Sequence, residues 1–421
     1  MSTKNQLSRR ATLALGVAAA VSRPARAQTV TLNFWDMIWG PPEYIETAKA
    51  LVDQFNAANP AIQVKYRSVA WTNWYQTFVT AIGAGTPPDI STGAGYQAAQ
   101  LYDMGAIRPL DDVIAELKAT GDADDFLPGT IDKLRYDNHT MALPWGVDIR
   151  VWLYRKDLLA AAGIAPPTSL AELRSAAKAL TTGGKFGLGA SGDTGGSHYL
   201  YSLMLNNGGG LFDEKRVIGL GSPRNLEALT WFADVVKDGS TSPASAGYDS
   251  DARRRAFLTG QAAFLLDGPG LPESAPADQR GNIGVLAPLK GLHGDLGTIA
   301  WVNNIMMYKD GKYPEQTKAF LKFWSKNQKP LWTVGHNRPL PARKSIAADA
   351  YFTGDATRSF IFANYLPIGK TTGTNAPGMF PQLNTIEGDG VMQALTQEIL
   401  QGKDLAPAVA RADAKLKAIM A

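Results

Sequence analysis

Apolar and polar positions alternate from Val30 to Trp35 and predict a strand. Trp39-Gly40-Pro41-Pro42 breaks it. Ile45, Ala48, Leu51, Val52 and Phe55 then follow helical spacing until Asn59-Pro60 stops the helix. Ile62, Val64 and Tyr66 alternate as a second strand, and Trp74, Phe78 and Ile82 recur four apart on a second helix. Gly83 to Pro88 ends that helix before a short strand at Asp89-Ile90. Strand and helix follow one another with short connections, which predicts βαβ units and a mostly parallel sheet. Further along, 142–154 reads as an extended apolar crossing and 262–266 as a buried strand. Thr298 to Met306 reads as extended, and helices are predicted over 170–180, 224–236, 314–326, 389–400 and 405–420. No internal repeat of fixed period is visible.

The first residues read as an address. Arg9-Arg10 precedes an apolar run from Ala11 to Val21, and Ala25-Arg26-Ala27 supplies a small-residue cleavage site. This is a secretory signal over 1–27, of twin-arginine type from the paired arginines. The apolar run is shorter than the roughly 20 residues a bilayer span needs. The leader carries Lys4, Arg9, Arg10, Arg23 and Arg26 and no acid, so its removal takes the formal net charge from +4 to −1. The basic balance goes with it, and so does any charge-based case for nucleic acid.

The chain has no cysteine, which excludes a disulfide framework, a thiolate metal site and a thiol nucleophile. None of its four histidines (His139, His198, His293, His336) forms a metal-binding pair. No cofactor or metal is expected. Gly187-Leu188-Gly189-Ala190-Ser191-Gly192 matches G-x-G-x-x-G, but the following Asp193-Thr194-Gly195-Gly196 is not expected to open a helix, so a loop is predicted. Gly369-Lys370-Thr371 resembles the end of a phosphate loop, but Asn364 stands where that loop needs glycine, and a surface turn is expected.

An aromatic pattern remains. Trp39, Trp71, Tyr96, Trp145, Trp152 and Trp301 fall at predicted strand ends or in the loops after them, whereas Trp35, Trp74 and Trp324 fall on apolar faces and are expected in the core. Ligands of open α/β sheets bind outside the carboxyl ends of the strands. A sugar ring, with an apolar C–H face and a hydroxyl rim, suits aromatic platforms edged with polar groups. Asp36, Asp148, Asn303 and Arg338 are candidates for that rim. Asp148 lies inside an apolar crossing, where a carboxylate must be hydrogen-bonded or face a ligand.

Behind an opening strand with Trp35 and the ligand loop that follows it, six further stretches resemble, in order, the extracellular solute-binding proteins of carbohydrate ABC transporters, the family of the maltose-binding protein. They are Thr86-Pro87-Pro88-Asp89-Ile90; Met104-Gly105-Ala106-Ile107 with Pro109-Leu110; Leu143 to Asp148 with Leu153 to Leu159; Gly260 to Phe264 with Asp267-Gly268-Pro269; Ala319 to Trp324; and Arg338 to Ser345. The resemblance implies a two-lobed α/β periplasmic binding fold, each lobe a mostly parallel sheet flanked by helices, with the ligand cleft between. It implies a lobe of residues 28–146 plus 300–346, a second of 150–296 plus 350–421, and hinge crossings near 145–150, 295–300 and 345–351. It places Asp148 at a ligand-binding acid, and Trp39, Gly93 and Tyr96 in ligand loops. His198 falls near a ligand aromatic and Gly268 in a cleft turn. Gly270 falls where related chains often carry a stacking tryptophan. The implied protein is a monomeric, non-catalytic periplasmic component that binds a sugar, glycoside or polyol by hinge closure and hands it to the transmembrane subunits of an ABC permease. Alternatives are a secreted glycoside hydrolase or lyase, a sensor's binding partner, and a receptor for a phosphorylated or sulfonated sugar that uses Arg338, Arg343 or Lys370.

Overall fold

A computed structural model describes residues 29–421 except Pro377. The expected leader lies outside the described residues. Among the described residues no helix is long and apolar enough to cross a membrane.

The opening βαβ unit forms as its pattern predicts. Strand Val30–Met37 buries Leu32 and Phe34 and exposes Thr31 and Asn33. Helix Pro42–Ala58 starts on the prolines that break the strand, since a proline in the first turn gives up an N–H that has no partner there. It buries Tyr44, Ala48, Leu51, Val52 and Phe55. Strand Ile62–Val69, helix Trp74–Gly83 and strand Ile90–Gly93 follow. Strand Val30–Met37 lies between the other two and runs parallel to both.

The molecule has two lobes, each built on a sheet flanked by helices. The larger sheet runs, in order, Leu340–Pro341, Leu143–Ile149, Thr298–Tyr308, Ile90–Gly93, Val30–Met37, Ile62–Val69. The smaller runs Ile283–Val285, Val151–Arg155, Ala262–Asp267, Phe186–Leu188. Both are mixed rather than mostly parallel. Strand Thr298–Tyr308 enters the larger sheet antiparallel to both neighbours, and Val151–Arg155 is antiparallel to both of its own. Helical crossovers dictate parallel pairing; these two strands arrive from the other lobe instead, so no crossover sets their direction.

The connection at Arg150 is one residue long: strand Leu143–Ile149 belongs to one sheet and Val151–Arg155 to the other. Arg150 donates its N–H to Ile299 O (3.0 Å) and accepts from Thr298 Oγ1 (2.7 Å), so two of the chain's passages between sheets are strapped side by side. Val147, Ile149, Val151, Leu153, Ile361 and Tyr365 pack a separate apolar core around this point.

One element departs from the sequence reading. Thr194–Asn206 is a helix, although Asp193-Thr194-Gly195-Gly196 gives little sign of one. Asp193 caps it: Oδ1 accepts from Gly196 N–H (3.2 Å) and Ser191 Oγ (2.7 Å), and Oδ2 from the Ser250 N–H and Oγ (2.7 Å each). The helix is buried from Gly195 to Asn206, so packing overrides the glycine penalty. The G-x-G-x-x-G match therefore does sit between a strand and a helix. Asp193 nevertheless fills the end where a phosphate would bind.

Candidate functional site

The carboxyl ends of the three parallel strands present an aromatic wall. Trp39 follows the first strand, Trp71 the second and Tyr96 the third. Asp36, at the end of the first strand, is fully buried and does not form part of a rim. Its carboxylate accepts from Thr92 Oγ1 (2.6 Å), Tyr44 OH (2.9 Å) and Tyr66 OH (3.1 Å). Burial pushes its pKa up to about 7 against those hydrogen bonds. Thr92 Oγ1 in turn accepts from Trp39 Nε1 at 3.2 Å, so Asp36 orients Trp39 through one hydroxyl. A Cβ at Gly93 would stand 2.0 Å from Gln97 Oε1, which accepts from the Ala94 N–H at 3.1 Å and so closes the turn that carries Tyr96.

The rings form a continuous row. Trp39 meets Trp71 and Trp145 edge-on, with centroids 4.9 and 5.1 Å away. The row continues from Trp71 to Trp74 (6.4 Å), Trp74 to Tyr96 (5.6 Å), Tyr96 to Trp301 (6.4 Å) and Trp301 to His198 (4.6 Å). His198 lies on the capped helix of the second lobe, so the row crosses from one lobe to the other. Trp35, Trp74 and Trp324 are buried as expected.

Sheet register places Asp148 beside Trp301 on adjacent strands. Both Asp148 oxygens accept from the Arg150 guanidinium, Oδ2 at 3.1 Å from Nη2. Arg150 lies over the Trp301 ring at 5.1 Å and donates Nε–H to His198 Nδ1 at 3.1 Å. Burial and the Arg150 charge hold the His198 pKa well below its usual value, so the ring is neutral with its proton on Nε2. Asn303, opposite Gly146, is buried, and its Nδ2 has no partner among the described residues.

Residues from a distant part of the chain complete this wall. Trp301 Nε1 donates to Thr372 Oγ1 (3.0 Å) and to Glu387 Oε1 (3.2 Å), and the Thr372 hydroxyl also bonds Glu387. Burial raises the Glu387 pKa to about 7, partly opposed by those two donors. Glu387, Thr372 and Arg150 escape the sequence reading. Glu387 carries the same mark as Asp148, an acid next to an apolar position (Ile386) on a buried face. Helix Gln382–Gly388 also bonds across: Gln100 Nε2 donates to Thr385 Oγ1 (2.9 Å) and Asn384 Nδ2 to Gln100 Oε1 (2.6 Å). The cavity left between Tyr96, Trp301, Thr372 and Met379 is only about 20 Å³.

Loop 335–341 touches both sides. The Arg338 N–H reaches Trp39 O (3.2 Å), and Arg338 O accepts from Gly270 N–H (3.2 Å). A Cβ at Gly268 would stand 3.8 Å from Asp148 Oδ1. At Gly270 it would stand 2.7 Å from Arg338 Cα and from Asn337 O. Gly270 therefore has no room for a stacking tryptophan. Arg343 serves the fold: its guanidinium is buried against Ser325 Oγ (2.9 and 3.1 Å) and Asp125 (2.9 Å). Gly369-Lys370 pairs with the start of strand Thr298–Tyr308 instead of forming the expected free turn.

The family model of the bacterial extracellular solute-binding proteins matches residues 41–329. A Brucella abortus protein is 27% identical over 346 residues, 81% of this chain and 82% of its own. A sugar transporter structure from Arthrobacter chlorophenolicus, solved with bound laminaribiose, is 34% identical with a TM-score of 0.87, over 92% of this chain and 99% of that one. The GacH receptor of Streptomyces glaucescens, solved unliganded and with acarbose, is 25% identical with a TM-score of 0.78, over 93% and 98%.

Proposed function

This chain belongs to the bacterial extracellular solute-binding proteins, and on that footing we propose that it captures a neutral saccharide between its lobes in the periplasm and passes it to the membrane subunits of an ATP-driven importer. The observation that carries this reading is the pairing of Trp301 with Asp148 beneath His198 and Glu387. An indole face next to carboxylates, a neutral imidazole and a guanidinium suits a ring with one C–H face and a hydroxyl edge. The laminaribiose bound by the Arthrobacter protein is a ligand of that kind. The proposed contacts are Trp39, Trp71, Gly93, Tyr96, Asp148, His198, Gly268, Trp301 and Asn303, joined by Glu387 and Thr372.

Trp39, Tyr96, Trp301 and His198 are all buried as the lobes stand, so the lobes separate to admit a sugar and close on it. The one-residue link at Arg150 and the neighbouring passage at Thr298 are the proposed hinge. Binding without turnover fits the engaged carboxylates: both Asp148 oxygens are already occupied by the Arg150 guanidinium.

Calorimetry of purified protein against laminaribiose and other mono- and disaccharides tests the reading. At least one should bind, and Asp148→Ala should weaken it tenfold or more, about 1.4 kcal/mol. No binding across the panel, or cleavage of any saccharide, would overturn it.

A further inference from the structure

A second depression lies outside the aromatic cleft. It runs between helix Ser250–Leu258 and the 271–276 segment, ends at Arg338, and has a volume of about 310 Å³. Its walls carry Arg254, Arg255 and Arg338 against a single acid, Asp251. That acid is exposed and pairs with Arg254 at 3.3 Å. The buried carboxylate nearby, Asp267, is already shared: Arg253 holds it at 2.8 Å and Arg254 at 2.9 Å. A third guanidinium, that of Arg338, adds its charge to the same neighbourhood, and its Nε is buried with no partner among the described residues. Ser274 Oγ, on the facing wall, is buried and unpartnered in the same way. Arg255 stands exposed at the rim. The groove thus holds surplus positive charge and two buried donors, where buried polar groups ordinarily find partners.

We propose that this groove is an oxyanion site, separate from the saccharide cleft, in which Arg338, Arg255 and Ser274 bind a small free anion of the phosphate or carboxylate class. Guanidinium forks match such anions two bonds at a time, and a hydroxyl donor fits between them. The site reaches the cleft through one residue. The Arg338 backbone bonds Trp39 O on one side and Gly270 N–H on the other. An anion that fixes Arg338 fixes the junction between the lobes as well, and so couples to saccharide affinity.

Inorganic phosphate is the probe. At constant ionic strength, phosphate should raise the melting temperature above matched chloride, and calorimetry should give a saturable isotherm. Arg255→Gln and Ser274→Ala should each weaken it at least fivefold. Both change one side chain at the groove, and Arg255 is exposed, so the fold should survive. A second arm adds D-galacturonate, whose acid group sits on a sugar. Phosphate binding that galacturonate leaves unchanged supports a separate site for a free anion. Displacement by galacturonate would assign the groove to an acidic sugar and overturn the proposal. Phosphate without effect, or with the same effect in both variants, would overturn it too.

Discussion

Glu387 offers a direct test of the wall built around Trp301. Its carboxyl is buried, and its pKa rises from 4.5 in the free side chain to about 7 in the fold. The folded state then holds this proton more tightly than the unfolded chain does. The stabilisation is complete below about pH 4.5 and is lost as pH rises through 7. About 2.5 pH units at 1.36 kcal/mol each put the loss on the order of 3 kcal/mol. Glu387→Gln removes the titration but keeps a carbonyl oxygen to accept from Trp301 and Thr372. Urea denaturation of both proteins from pH 4.5 to 8.5 should show the variant gaining on the wild type by about 3 kcal/mol, with most of the gain between pH 5 and 7. Asp36 is raised to about 7 by its own burial, but it is common to both proteins and cancels in the difference. Parallel stability curves across this window would refute the argument, because they would mean that Glu387 titrates in the fold as it does in the unfolded chain.

Two further outcomes follow from close contacts. Gly270 has an ordinary helical backbone (φ −83°), so only the approach of 337–338 requires glycine there. Gly270→Ala should cost about 1–3 kcal/mol in urea denaturation, and wild-type stability would contradict the contact. Asp267 is held well below the usual carboxylate range by Arg254 and Arg253, which outweigh its burial. Asp267→Asn strands the buried Arg253 and should cost about 3–5 kcal/mol at neutral pH. The wild type's advantage should shrink as the pH falls below the free carboxylate's pKa, since a depressed pKa stabilises only while the group is ionised; a pH-independent gap between the two proteins would count against the pair.

Local periodicity carried most of the fold. The opening βαβ unit, the extended stretch around Asp148 and the last two helices are readable because side-chain spacing alone decides which face is buried. Helix Thr194–Asn206 is not, since its cap depends on Ser250 and its stability on burial, neither visible in Thr194-Gly195-Gly196. The directions of Thr298–Tyr308 and Val151–Arg155 escape for a similar reason: an antiparallel partner from a remote segment leaves no local mark. At the site, the aromatic residues and Asp148 stand out as chemistry at strand ends. Asp36 looks equivalent, but Tyr44, Tyr66 and Thr92 close over it, and their convergence is tertiary. Arg150 is hidden by its ordinary composition, and Glu387 by the 239 positions that separate it from Asp148.

The row of rings from Trp145 through Trp39, Trp71, Trp74 and Tyr96 to Trp301 also has an optical consequence. From Trp145 through Trp39 and Trp71 to Trp74 the successive indole centroids are 4.9 to 6.4 Å apart, so light absorbed by one of these indoles passes readily to the next. The emission then belongs to the array and not to a single chromophore. A guest that quenches one of these indoles therefore dims its neighbours too.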